Sequence, residues 1–196
     1  MNDPVSAEKS AAPDQKIRCA WPGLQGSELY QNYHDFEWGR PVHGEHELFE
    51  RLSLEAFQSG LSWLTILRKR EAFRAAFADF DPAKVAVFDA ADVNRLMNDA
   101  GIVRNTLKIN ATINNAQAIL NLPNGVTLGS LLQDHRPAPR PAGTPVPAST
   151  LESAALAKRL KKLGFRFVGP TTSYAMMQAI GLVNDHQEDC WVRAEL

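Results

Sequence analysis

Four cysteine and histidine residues near the two ends of the chain have the types and spacing of metal ligands. His186 and Cys190 are four positions apart, which puts two side chains on one side of a helical turn. Cys19 and His34 form a second Cys–His pair, and two thiols with two imidazoles suit tetrahedral zinc. The spacing is not that of a zinc finger, so unpaired thiols and satisfied histidines stay open as the alternative. A closed four-ligand site would be structural and would tie the two ends together.

A lone acid borders an apolar helical stripe between residues 47 and 63. The apolar positions of that stripe, spaced as on one face of a helix, are Leu48, Phe49, Leu52 and Ala56. Glu55 falls at the edge of the stripe, where desolvating an unpaired charge is costly. Gly60 ends the predicted helix, and Ser62 and Trp63 open the next one. Two interpretations stay open: an ion pair between Glu55 and a surface cation, or an acid placed beside an indole for function.

A second unusual stretch is residues 33–39, Tyr-His-Asp-Phe-Glu-Trp-Gly. It combines three aromatic side chains, a histidine and two acids in seven positions, with neither strand alternation nor a helical stripe. Dense aromatic residues in an irregular segment indicate a pocket wall or a docking loop.

The overall composition excludes several classes of protein. The chain has 196 residues, 44% of them hydrophobic, which is enough for a buried core. A net charge of −1 gives no global signal for nucleic acid, so any polyanion site must be a local patch. No stretch of about eighteen apolar residues indicates a membrane span, and the N-terminus lacks the apolar core of a signal peptide. Two cysteines indicate a reduced, cytoplasmic setting, where such a pair favours a metal site over a disulfide.

The elements that must position these residues are predicted to be helices. Residues 1–16 are polar and small and are predicted to be a disordered tail. Residues 17–196 are predicted to form a single all-α domain with a Pro-rich connector at 136–149. Periodicity and cap residues predict helices over 28–34, 47–60, 62–77, from Pro82, 92–97, 106–120, 149–163 and 170–181. The predicted start of the helix 149–163 rests on a capping box from Ser149 to Glu152.

A glycine-centred turn at 98–105 joins two of these helices, and Arg104 and Lys108 follow Gly101. From the residues alone a plain inter-helix turn is the preferred interpretation, and contact between its backbone N–H groups and phosphates is the alternative. The end of the 149–163 helix is also basic, and there the helix dipole is a sufficient structural reason. Its cations are Lys158, Arg159, Lys161, Lys162 and Arg166.

Six sequence blocks carry a resemblance to a known family. They are Arg-Cys-Ala-Trp (18–21), Tyr-His-Asp-Phe-Glu-Trp-Gly (33–39), Leu-Glu-Ala-Phe-Gln-Ser-Gly-Leu-Ser-Trp (54–63), Asn-Asp-Ala-Gly-Ile-Val-Arg-Asn (98–105), Gly-Phe-Arg-Phe-Val-Gly (164–169) and Gly-Leu-Val-Asn-Asp-His (181–186). In this order they closely resemble the DNA-3-methyladenine glycosylase I family, which are helix-hairpin-helix base-excision glycosylases. The resemblance covers Arg18 to about Trp191.

The resemblance implies roles for individual residues. It implies a helix-hairpin-helix glycosylase bundle whose N- and C-terminal segments are joined by a structural zinc. The positions that match the zinc ligands are Cys19, His34, His186 and Cys190. Glu55 matches the catalytic acid of the base pocket, which we assign chiefly to base recognition, and Tyr33, Trp63 and Trp21 match the aromatic residues around the base. The turn at Gly101, with Arg104 and Lys108, matches the hairpin that grips the DNA backbone.

The activity implied is hydrolysis of the N-glycosidic bond of 3-methyladenine in alkylated DNA, the first step of base excision repair. The resemblance implies a monofunctional glycosylase with one structural zinc per chain and no organic cofactor. We expect its partner to be double-stranded DNA, with no membrane association, and we expect a monomer. The alternative is a zinc-containing module that binds DNA or a nucleobase without chemistry.

Overall fold

The structure is a computed structural model that describes residues 16–141 and 143–196. Every regular element in those ranges is helical, so the predicted all-α class is confirmed. The elements are α1 (Glu28–Phe36), α2 (Glu45–Gln58), α3 (Trp63–Ala76), α4 (Pro82–Val85), α5 (Ala90–Asn98), α6 (Thr106–Leu120), α7 (Leu128–Gln133), α8 (Leu151–Lys162) and α9 (Pro170–Ala179), with 3-10 turns at Ala78–Phe80 and Trp191–Glu195. None of the described helices is long and apolar enough to cross a bilayer. The tail predicted for residues 1–16 lies outside the described residues, apart from Lys16.

The helix ends show where the predicted boundaries hold. Ser62 begins α3 as predicted, because its hydroxyl accepts a backbone N–H of the first turn. Gly60 follows α2 with a φ of 82°, a backbone conformation that favours glycine. The capping box predicted from Ser149 to Glu152 is displaced by one residue, since Thr150 is the N-cap of α8 and exchanges hydrogen bonds with Ser153.

Two local predictions were wrong. Helix α7 was not predicted, because six residues are too few to show helical periodicity. Its start is nevertheless well defined, since Thr127 and Ser130 form a capping box. The segment from His186 to Cys190 is a turn rather than helical, with the Cys190 N–H donating to the Gln187 carbonyl at 3.0 Å.

Helix α2 is the element on which two apolar cores pack. Its side chains in the first core, shared with α1, α3, α5 and α6, are Phe49, Leu54 and Phe57. Its side chains in the second core, shared with α7, α8 and α9, are Leu48 and Leu52. Burying each such side chain contributes about 1.5–3 kcal/mol, so α2 is fixed from two sides. Glu55, on the same helix, is thereby held where the two groups of helices meet.

Lys108 of α6 also fixes the end of α2. Its side chain is buried, with 7% of the residue exposed, and its ammonium donates to the Phe57 carbonyl at 2.8 Å and to the Ser59 carbonyl at 2.7 Å. The last carbonyls of a helix have no intrahelical partner, so this lysine satisfies two of them. This placement does not favour the phosphate contact predicted for Lys108, because its ammonium group is already bonded to the end of α2.

Replacing Lys108 tests this arrangement. We expect Lys108→Ala to lower the free energy of unfolding by about 1–3 kcal/mol, because two helix-end carbonyls lose their donor. Urea unfolding is the measurement, and Lys158→Ala, at an exposed position of α8, is the control, with an expected change within about 0.5 kcal/mol. Equal changes in the two variants would contradict the capping role.

Candidate active site and metal centre

A cavity of about 450 Å³ opens to solvent between α1, α2, α3 and α9. Small-molecule sites commonly occupy about 300–1,000 Å³, so the cavity can hold a single flat ring system. Its aromatic lining is Trp21, Tyr30, Tyr33, Trp38 and Trp63. Its polar lining is Glu55, Gln58, Gln178, Asp185 and Gln187. Tyr33, Trp63, Trp21 and Glu55, the residues expected around a base, are thus brought into one cavity.

Glu55 is the unusual group of this cavity. Only 7% of the residue is exposed, and its carboxylate forms no hydrogen bond with any residue in the described part of the chain. Burial raises the pKa of this carboxyl to about 8, against the opposing charge of Arg51. The surface ion pair considered from the sequence is therefore not its environment. A buried acceptor without a partner is costly unless a ligand supplies the donor.

The aromatic side chains surround this acid with ring faces and edges. The Tyr33 and Trp63 ring centroids are 5.2 Å apart at an interplanar angle of 43°, and Trp21 contacts Trp38 edge-on at 4.7 Å. Burial raises the pKa of Tyr33 well above its usual value, and the Glu55 charge adds to this. The Trp63 indole N–H is buried and has no partner within the described residues. The cavity therefore places an acid without a hydrogen-bond partner between aromatic surfaces.

Asp185 is a second buried acid in the lining, but its oxygens are occupied. It accepts hydrogen bonds from the Tyr174 hydroxyl at 2.6 Å, from Gln178 Nε2 at 2.9 Å and from Arg140 Nε at 2.7 Å. Although burial raises its pKa, these three bonds hold the pKa of Asp185 below its usual range. The bond to Arg140 also fixes the Pro-rich connector beside the cavity, where Val146 contributes to the lining.

The four predicted metal ligands converge on one buried point. The ligand atoms of Cys19, His34, His186 and Cys190 all lie within 4.8 Å of one another. Cys190 Sγ is 3.6 Å from His34 Nε2 and 3.4 Å from His186 Nδ1, and Cys19 Sγ is 3.5 Å from His186 Nδ1. Bond lengths of about 2.0–2.3 Å to a tetrahedral zinc require ligand separations of about 3.3–3.8 Å. The donor set and its dimensions fit a tetrahedral ion.

Neighbouring groups orient both imidazoles of this cluster. His34 Nδ1 is 2.8 Å from Asp35 Oδ1, and Asp35 in turn accepts from Arg18 at 2.7–3.0 Å. His186 Nε2 is 3.3 Å from the Trp38 carbonyl, which leaves its Nδ1 facing the thiols. Metal-bound histidines commonly have their second nitrogen held in this way. Burial raises the pKa of Cys19 to about 12, a cost that a bound dication would reverse because ligating thiols are deprotonated.

The metal cluster and the aromatic cavity share a wall. Trp21 packs edge-on against His34 at 4.8 Å, and Trp38 packs edge-on against His186 at 4.6 Å. On α1, Tyr33 faces the cavity and the adjacent His34 faces the cluster. Because these rings are in contact, the positions of the cluster residues also determine the positions of Trp21 and Trp38 in the cavity wall.

The turn at 98–105 is more self-contained than the sequence suggested. The Gly101 N–H donates to Asp99 Oδ1 at 2.7 Å, and Lys69 Nζ donates to the carbonyls of Ala100 and Gly101 at 2.8 and 3.1 Å. The Gly101 N–H is therefore already engaged within the turn. Arg104 is exposed and can reach solvent or a ligand.

Several residues of the site were given no individual role from the sequence, although two of them lie in the stretch 33–39 that was interpreted as a pocket wall or a docking loop. They are Tyr30, Trp38, Asp35, Arg140, Gln178 and Asp185. Tyr30 precedes Tyr33 by one helical turn of α1, so helical periodicity across 28–36 would have indicated it. Asp185 and Arg140 are 45 positions apart and meet only through tertiary packing, which no local pattern shows.

The described chain is thus an all-α protein with an aromatic, acid-containing cavity whose size suits one flat ring system. Residues 22–194 match the Methyladenine glycosylase family, and the chain belongs to that family, as its motifs suggested. It is 48% identical over 179 residues to DNA-3-methyladenine glycosylase 1 of Escherichia coli (strain K12), covering 88% of this chain and 95% of that protein.

Solved structures agree with this assignment. A crystal structure of 3-methyladenine DNA glycosylase I superposes with a TM-score of 0.84 at 45% identity, covering 89% of this chain and 98% of that one. A Tyr-to-Phe variant of a 3-methyladenine DNA glycosylase I, solved in complex with 3-methyladenine, superposes with a TM-score of 0.80 at 36% identity, covering 85% and 93%.

Proposed function

We propose that this protein hydrolyses the N-glycosidic bond of 3-methyladenine in alkylated DNA, as the first step of base excision repair. The observation that carries the proposal is the Glu55 carboxylate, buried without a partner in a cavity lined by three indoles and two phenols. The relatives named above share the family, and one of them was solved with 3-methyladenine. A module that binds without chemistry is the outcome against which the activity is tested.

The cavity suits a cationic base better than a neutral one. A 3-methylated adenine within DNA carries a positive charge, which the faces of Tyr33 and Trp63 attract by cation–π and stacking contacts. Glu55 accepts hydrogen bonds from the adenine edge and supplies the opposite charge. Undamaged adenine is neutral and gains little from either interaction. A methylated, poorly paired base also leaves the helical stack at lower cost.

The chemistry requires little beyond recognition. The glycosidic bond of the methylated base is weak because its electron pair leaves with the base and neutralises the base's positive charge. Positive charge develops on the sugar as the bond breaks, and buried negative charge nearby stabilises it. Water then adds its oxygen to the sugar carbon and releases a proton. We assign Glu55 to base recognition, the role for which its position in the cavity is suited.

We propose that zinc is the ion of the four-residue cluster and that it has a structural role. Two thiols and two imidazoles occupy all four tetrahedral positions, which leaves none for water or substrate. The ion would cross-link the segment that carries Cys19 with the segment that carries Cys190, and it would supply no reacting group. The spacing of the four ligand atoms supports this choice.

We propose that the helix-hairpin-helix which grips DNA is α8–α9 rather than the turn at Gly101. Residues 163–169 join these two helices, and the N-terminus of α9 has no side-chain cap, so its N–H groups can bind a phosphate. A groove beside Pro170 is lined by exposed lysines of α8, namely Lys158, Lys161 and Lys162. Phe167 in this hairpin has a φ of 56°, a strained conformation that is typical of functional sites.

This position relates the DNA backbone to the cavity. Ala175 and Gln178, further along α9, line the cavity, so one helix connects the phosphate contact to the base pocket. Arg104 remains a candidate for a further phosphate contact. Double-stranded DNA as substrate, a monomeric state and a cytoplasmic location remain predictions.

Glu55→Gln tests the activity. The variant keeps the shape of the side chain and loses the anion, so release of free 3-methyladenine from methylated DNA should fall at least about tenfold, or roughly 1.4 kcal/mol. Glu47→Gln, at an exposed position of the same helix, is the matched control and should be silent. The proposal fails if folded, metal-loaded wild-type protein releases no 3-methyladenine. If Glu55→Gln releases 3-methyladenine at the wild-type rate and Glu55→Ala releases it more slowly, the side chain of Glu55 contributes packing and not charge.

Metal analysis tests the zinc. Protein purified without chelators should contain about one zinc per chain, and Cys190→Ser should lose it and melt at a lower temperature. Asp189→Asn, at an exposed position next to the ligand, should keep both the metal and the melting temperature of the wild type. Protein that contains no metal, or another metal in stoichiometric amount, would overturn the zinc assignment.

The salt dependence of DNA binding distinguishes the two hairpins. Replacing Lys158, Lys161 and Lys162 by alanine should weaken binding to undamaged duplex and reduce the slope of log K against log salt by up to about three, since each phosphate contact contributes about 0.9. Arg104→Ala should change the slope by about one at most. If Arg104→Ala changes the slope more and the lysine variant leaves it unchanged, the turn at Gly101 is the segment that binds the DNA backbone.

A further inference from the structure

A network of three charged side chains lies beside Glu55 and reaches none of the metal ligands. Arg51 NH2 donates to Glu37 Oε2 at 2.9 Å, and Arg70 donates to both oxygens of Glu37 at 2.6 and 3.0 Å. Two positive charges and one negative charge sum to +1. The side chains of both arginines are nearly buried, with 11% and 12% exposed, so water screens this excess charge weakly.

Arg51 is the member of this network closest to the base site. It precedes Glu55 by four residues on α2, the spacing that places two side chains on one helical face. Its guanidinium lies 5.7 Å from the centre of the Tyr33 ring, and that ring lines the cavity. Its second terminal nitrogen, NH1, is buried and has no hydrogen-bond partner in the described ranges. The part of its charge that Glu37 does not neutralise therefore acts on Tyr33 and Glu55.

We propose that Arg51 is a positioning residue for base recognition: held by Glu37 against the Tyr33 ring, it favours the charged form of Glu55, the form that binds a cationic base. The inference rests on the proposed function and adds to it a residue that touches no substrate. Glu37 and Arg70 hold Arg51 in place, and Glu55 balances the excess charge of the three.

The other charged groups around Glu55 are committed elsewhere. Those on the elements packed against it are Tyr30 and Tyr33 of α1, Arg70 of α3, Lys108 of α6, and the paired Asp185 and Arg140. The tyrosines are neutral, since burial raises the pKa of each. Lys108 is bound to the carbonyls at the end of α2, and Arg140 is bound to Asp185. Arg51 is the cation that opposes the effect of burial on the pKa of Glu55.

The test is an NMR titration of the Glu55 carboxyl carbon in ligand-free protein, assigned by comparison with Glu55→Gln. In the wild type the midpoint should lie near pH 8, and in Arg51→Met it should rise by about one unit, the smaller end of the effect of a nearby opposite charge. Arg51→Lys keeps the charge and should restore most of the wild-type midpoint. Arg68→Met removes an exposed cation of α3 that lies outside this network and is the control, with an unchanged midpoint.

Base binding supplies the functional readout. The dissociation constant of 3-methyladenine is measured at several pH values by quenching of tryptophan fluorescence. Well below the Glu55 midpoint, the dissociation constant of Arg51→Met should be about ten times that of the wild type, since one pKa unit is a factor of ten. Well above the midpoint, the two constants should be about equal. The titration of the ligand itself is common to both proteins and cancels in this ratio. A purely structural role would weaken binding equally at every pH.

The outcomes separate this inference from the proposed function. A Glu55 midpoint that does not move in Arg51→Met, or moves equally in Arg68→Met, overturns the role of Arg51 whatever the base binding shows. A wild type that binds no 3-methyladenine overturns the proposed function, while the carboxyl titration still decides the electrostatic role. If Arg51→Met fails to fold, Arg51→Gln is compared with Arg51→Lys in the same titration, and equal midpoints in that pair overturn the inference.

Discussion

The rest of the site depends on the convergence of Cys19, His34, His186 and Cys190, which brings two distant parts of the chain against α1. Trp21 follows Cys19 by two residues, and Gln187 follows His186 directly, and both side chains line the cavity. The remaining walls come from α2, α3 and α9, which two apolar cores fix independently. The cluster thus completes a pocket that is otherwise open on the side of Trp21 and Trp38. A metal ion held by these four residues would in this way help to complete the cavity without lining it.

The electrostatics of the cavity follow from the burial of one acid. An unpaired carboxylate in an aromatic environment is disfavoured as an anion, and Arg51 compensates only in part. In the proposed function, a cationic base would be a counterion as well as a ligand, so its binding would offset the cost of burying this acid. Neutral bases cannot do so. Discrimination between damaged and normal adenine then follows from charge, although the two differ by only one methyl group.

Much of this could be read from the sequence because the relevant signals are local or chemically distinctive. The helical stripe around Glu55 and the cap at Ser62 depend on short spacings, and the two Cys–His pairs are chemically distinctive, which made it possible to predict the four-residue cluster. The hairpin was harder, because the turn at Gly101 and the turn after α8 both join two helices beside basic residues. Only tertiary contacts show that Lys108 and the Gly101 N–H are engaged within the protein. The contacts of Arg51 and Arg140 are likewise invisible to local patterns, since their partners lie 14 and 45 positions away.

The raised pKa of Glu55 also determines how the folded chain responds to pH. The usual value is 4.5 and the folded value is about 8, so between these limits the native state binds more protons than the unfolded chain. The contribution of this residue to stability therefore falls as pH rises through that window. Selection for stability alone would replace the acid by an apolar side chain of similar size, and function opposes that replacement. Under the proposed function, position 55 is therefore one at which thermal stability and base recognition compete.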